Sequence, residues 1–134
     1  MKRVAIIFAA GFLVRAVLIA VEPIIFGGDT ILRLVNHERI VVSYQLPLLQ
    51  ILIHYLCKLT LDPMAARIAM SLIGAAVGIA FYYLTRHFVD ERHAYYAALF
   101  CAVHPFLLGL STVPYQEPLM LATLFFAFHF LLEG

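Results

Sequence analysis

Tryptophan is absent from these 134 residues and charge is scarce, with only 13% Asp, Glu, Lys and Arg against 64% hydrophobic residues. Soluble domains run near a quarter charged and about half apolar, and a chain this short could not hide so much apolar surface from water. A soluble globular fold is therefore excluded, and a mean hydropathy of +0.97 points to lipid as the solvent. The formal net charge is +1, which removes the basic or acidic bias expected of a nucleic-acid partner. Only two cysteines are present, Cys57 and Cys101, each inside an apolar run, with neither a CxxC pair nor a Cys/His spacing for a metal. Both read as small hydrophobes. Ser-His-Asp order, a P-loop and a Gly-rich nucleotide loop are also missing.

What remains is a series of apolar runs. A helix needs roughly 20 apolar residues to cross a bilayer, and the runs at 4–26, 63–88, 94–110 and 118–132 reach or approach that length. The expected fold is an all-α, polytopic transmembrane bundle with about four spans in a single membrane domain, residues 1–134. The opening Met1-Lys2-Arg3 and apolar stretch begin like a signal peptide, but no small-x-small cleavage pattern follows. An uncleaved span is expected.

A fifth run, 46–61, is shorter and carries Gln50, His54, Tyr55 and Lys58. Lys2 and Arg3 place the N-terminus in the cytoplasm by the positive-inside bias. If 46–61 lies in the outer interface, the basic loop Arg86 to His93 falls on the cytoplasmic side too. Spanning would put that loop outside, so the interfacial arrangement is preferred. Residues 27–62 then form an extracytoplasmic loop with its own interfacial helices. In it, Asp29 is placed to cap a helix, and Asp29, Arg33, Asn36 and His37 share one face of it, away from Ile31, Leu34 and Val35. Gly74-x-x-x-Gly78 is a signal for close packing of two helix backbones in lipid.

Five residues are candidates for chemistry. Asp29, just beyond the first span, can serve as a general base or simply as a helix cap. Glu117, at the start of the last span, is either a functional carboxylate at membrane depth or an acid that favours a helix N-terminus. Arg15 lies mid-span, where an unpaired guanidinium costs about 2.5–3.5 kcal/mol on insertion scales. It must face protein or water, either to meet a phosphate or to pair with a carboxylate. Arg33 and His37 can hold an anionic head group or line a solvated face. His104-Pro105 predicts a kink within the third span.

The order of these pieces resembles the type C membrane glycosyltransferases, closest to the protein O-mannosyltransferase-like and aminoarabinose-transferase-like enzymes. The resemblance is carried by Phe12-Leu13-Val14-Arg15 followed by Asp29, by Gln45-Leu46-Pro47-Leu48, and by Ala66-Arg67-Ile68-Ala69-Met70-Ser71-Leu72-Ile73-Gly74. It continues through Tyr83-Leu84-Thr85-Arg86 and through His104-Pro105 leading to Gln116-Glu117-Pro118. It implies transfer of a sugar from a polyprenyl-phosphate donor to a lipid, glycan or protein acceptor on the extracytoplasmic face of a bacterial cell membrane. Asp29 then matches the family's first-loop acidic residue, which acts as catalytic base or organises the site, and Glu117, Arg33, His37 and Arg15 are assigned to substrate binding. No cofactor is fixed by these residues. A divalent cation stays open, although Thr30 stands where many relatives carry a second acid. Family members run to several hundred residues, so this chain is expected to be the N-terminal part of a larger enzyme. Two other classes remain as alternatives. One is a small non-enzymatic scaffold that dimerises through Gly74 and Gly78, and the other is part of a transporter lined by Arg15 and Glu117.

Overall fold

The structure is a computed structural model. It describes residues 2–22, 28–36, 38, 47–60 and 62–134, with the backbone alone at 28–30, 33 and 63. Among the described residues seven helices run in order: α1 (Lys2–Val21), α2 (Gly28–Val35), α3 (Pro47–Thr60), α4 (Pro63–Thr85), α5 (Glu91–Ala102), α6 (Pro105–Ser111) and α7 (Glu117–Glu133). The described residues contain no strand.

Local chemistry sets the helix ends. Asp62 caps α4 by accepting from the Met64 N–H at 2.8 Å, with Pro63 opening the first turn. Asp90 caps α5 by accepting from the N–H groups of Arg92 and His93. His93 Nδ1 also bonds the Asp90 carboxylate. That bond to His93 holds the Asp90 carboxyl below the usual carboxylate range. Pro105 lacks an N–H to continue α5, so the chain breaks there and α6 leaves at 53°. The kink expected at His104-Pro105 is thus present, but it divides the expected 94–110 segment into two helices. The first helix ends at Val21, short of the expected boundary at 26, and residues 23–27 lie outside the described residues.

α4 is the central helix, touching α1, α3, α5, α6 and α7. Its small residues explain that position. A methyl group built on Gly74 would run into Ser111 Oγ and, at 2.6 Å, Arg15 Nε, and one on Gly78 would sit 2.9 Å from Ala102 Cβ. Only glycine lets α1, α5 and α6 approach this closely. The Gly74-x-x-x-Gly78 face is therefore consumed inside the chain, which removes the dimer face of the scaffold alternative. On α1 the buried residues are Ile7, Gly11, Arg15 and Ile19, spaced by four along one stripe. The opposite face of that helix is exposed, Leu13 by 62% and Val21 by 77%. Apolar surface on this scale fits hydrocarbon, not water.

Two helices, α1 and the α4 stretch from Met64, are long and apolar enough to cross a membrane, and a third crossing counts if bent α5–α6 is one span. α7 has 17 residues, or about 25 Å of helix, somewhat less than the hydrocarbon thickness of about 30 Å.

α1 and α4 run antiparallel. Arg3 at the start of α1 meets Glu91 at 2.8 Å, just past the end of α4. At the other end, the Arg67 guanidinium in α4 donates to the Glu22 carbonyl just past α1. The segment carrying α2 and α3 thus leaves and returns at one end of the bundle. α3, with 14 residues, is too short to cross, and it packs Leu49, Ile53 and Cys57 against Met70. α2 begins at Gly28, so Asp29 occupies the first turn and is not the residue that precedes it, as its expected capping role required.

Candidate functional site

Two buried arginines organise the interior. Arg15 is 1% exposed. Its Nε donates to Ser111 Oγ at 2.6 Å, and its Nη1 donates to the carbonyls of Gly11 at 2.8 Å and Ala102 at 2.7 Å. Ser111 Oγ donates to the Leu107 carbonyl at 2.5 Å, and Ser71 Oγ donates to the Ser111 carbonyl at 3.3 Å. The Ala102 carbonyl is free to accept because α5 ends there, ahead of Pro105. One guanidinium thereby ties α1 to both arms of the bent pair. Among the described residues no carboxylate lies within ion-pair distance of Arg15, so the expected alternative of a carboxylate partner is corrected. Neutral oxygens at a helix break take that role.

Arg67 is the second, at 2% exposure. Its Nε donates to the Thr112 carbonyl at 2.9 Å and its Nη2 to the Glu22 carbonyl at 2.9 Å. Its Nη1 is buried and has no acceptor among the described residues. Arg67 lines a cavity of about 540 Å³ with Leu18, Glu22, Leu108, Thr112 and Tyr115. The walls are mostly apolar, with the guanidinium, the Glu22 carboxylate and the tyrosine as the polar groups. This combination suits an amphiphile with an anionic head. A second, apolar cavity of about 360 Å³ lies between α1 and α4, lined by Phe12, Ala16, Ile19, Met64, Ile68 and Ser71.

The five expected site residues distribute unevenly around this centre. Asp29 and Arg33 lie on α2, with only their backbone described, and His37 lies outside the described residues. Glu117 opens α7, half-buried, and its Oε2 is buried without a partner among the described residues. It is not among the described residues lining the Arg67 cavity. Arg15 and Glu117 do not form an ion pair. Arg67 and Glu22 were not expected as site residues. The available signal was that Arg67 is the one charge in an apolar helix from Pro63 to Thr85, a placement that marks function or pairing in lipid. Burial in α3 pushes the Cys57 thiol above its ordinary range, which argues against nucleophilic use.

No family model matches the chain, and no curated protein or solved structure shows significant similarity to it.

Proposed function

We propose that this chain is the membrane-embedded part of a glycosyltransferase that draws a sugar from a polyprenyl-phosphate donor. The observation that carries the reading is Arg67, a buried guanidinium with an N–H left unpaired beside an apolar-walled cavity. A buried donor without an acceptor costs about 1–3 kcal/mol. A phosphate oxygen at that point would recover this cost and meet the charge, while an isoprenoid chain would meet the apolar walls.

The orientation supports the same reading. Lys2, Arg3 and Arg86 gather around one cavity at one end of the bundle, which the positive-inside bias assigns to the cytoplasm. In this reading α1 and α4 cross in opposite directions, so Arg67, α2 and α3 would lie on the extracytoplasmic side. In the proposed reaction Asp29 takes the proton of an acceptor hydroxyl. The freed oxygen attacks the anomeric carbon, the bond from that carbon to the phosphate oxygen breaks, and the electron pair leaves with the lipid phosphate. Arg67 neutralises that phosphate.

The test is binding of farnesyl phosphate to the purified protein in nanodiscs, with farnesol as the uncharged control. A charge-assisted hydrogen bond contributes about 1.5–3 kcal/mol, so Arg67→Gln should weaken farnesyl phosphate about tenfold to a hundredfold and leave farnesol unchanged. Arg67→Lys, which keeps the charge, should lose less and guards against misfolding. Equal affinity for farnesyl phosphate in wild type and both variants overturns the proposal.

A further inference from the structure

The opposite end of the bundle holds a group of side chains that the transferase reading does not use. α4 ends in the turn that carries His87, and the last turns of α7 carry His129 and Glu133 on one face, spaced by four. His87 Nε2 lies 2.9 Å from His129 Nδ1, and His129 Nε2 lies 3.6 Å from Glu133 Oε1. One ligand atom from each of the three falls within 4.8 Å of the others. We propose that His87, His129 and Glu133 form a transition-metal site, occupied by Zn²⁺ or a similar borderline cation, that staples α7 to the α4–α5 turn.

The donor set selects the ion. Two imidazoles and one carboxylate suit zinc, cobalt or nickel, whereas Mg²⁺ and Ca²⁺ require mostly oxygen ligands. In a tetrahedral zinc site, ligands at about 2.0–2.2 Å stand about 3.4 Å from one another. A metal takes one nitrogen of His129, and with one ligand atom from each residue within 4.8 Å of the others, the three must draw together by up to about 1.4 Å to reach that value. His87 and Glu133 are exposed and free to make that movement, whereas His129 is buried and held against the rings of Tyr83 and Phe130. The site would thus have one rigid ligand and two adjustable ones. Water would complete the fourth position. The site bridges residues 42 positions apart in sequence, so occupancy would favour the packed state over any state in which α7 has come away.

The experiment uses the detergent-purified protein stripped with EDTA, then titrated with Zn²⁺ by equilibrium dialysis and with Co²⁺ by visible absorption. One Zn²⁺ per chain is expected, with a rise in melting temperature that Mg²⁺ does not reproduce. His87→Gln and Glu133→Gln, both at exposed positions, should each weaken binding at least tenfold and abolish the tetrahedral cobalt band. Two results would overturn the site. One is the absence of saturable one-to-one zinc binding in the wild type. The other is binding unchanged in both variants, which would assign the zinc to other histidines or cysteines.

Discussion

Replacing Gly74 by alanine puts a methyl group where Ser111 and Arg15 already sit. The new carbon would lie 2.5 Å from Ser111 Oγ and 2.6 Å from Arg15 Nε, inside any tolerated contact. Neither neighbour can simply swing away, because Arg15 and Ser111 bond each other and both bond backbone carbonyls. Overpacking costs about 1–3 kcal/mol, and losing the charge-assisted Arg15–Ser111 bond costs about 1.5–3 kcal/mol more. Alanine returns about 1 kcal/mol of helix propensity, which leaves a net loss of about 1.5–5 kcal/mol. Gly109 is the internal control, since nothing lies within 4 Å of a methyl group placed there. Gly109→Ala keeps the propensity gain without a clash. Gly78→Ala falls between them, because the Ala102 methyl at 2.9 Å has no rotamer to escape into and α4 must separate from α5. Gly11→Ala meets its neighbours at 3.2 Å and 3.3 Å and should cost less than Gly78→Ala. Unfolding is followed with a fluorogenic thiol reagent that reports exposure of Cys57, which is buried in the folded protein. At about 3 °C per kcal/mol for a chain of this size, Gly74→Ala should melt about 10 °C below Gly109→Ala. If the two melt together, the packing of α4 against Arg15 and Ser111 is wrong.

Asp29→Asn in the native protein should lower sugar transfer at least about a hundredfold, the low end of general-base contributions, at unchanged expression, and wild-type transfer by this variant would end the catalytic assignment. Asp90 gives a pH prediction. Its carboxyl is depressed in the folded state by the bond to His93, so the stability it adds is present above the ordinary carboxylate range and fades as pH falls through the depressed folded value. Thermal melts of wild type and Asp90→Asn should therefore differ near neutral pH and converge in acid, and a gap that is the same at both ends of the pH range would contradict the link.

Much of the fold is legible in linear order because lipid imposes a simple rule on composition. The apolar runs and the proline at 105 act through their immediate neighbours, so the two long apolar helices and the bend can be read locally, whereas the caps of α4 and α5 at Asp62 and Asp90 were not anticipated. The error at Asp29 is local as well. Gly27-Gly28 reads as a turn, yet helix α2 already includes Gly28 and moves Asp29 inside the first turn.

The site is harder to read, for a different reason. That Arg15 could not face lipid follows from its charge alone. That it is satisfied by a serine and two carbonyls, one of them freed by the break before Pro105, depends on which helices α4 draws together. Arg67, Glu22 and Tyr115 come from three separate segments and share a cavity only after α1, α4 and α6 pack. His87 joins His129 and Glu133 by the same route, through the packing of α7 along α4. By itself the sequence determined the solvent, the helices and the groups that could not be left in hydrocarbon, because those depend on the free energy of each residue in its own surroundings. Which of those groups meet was decided by the tertiary structure, because glycine and alanine on α4 set how closely the other helices approach.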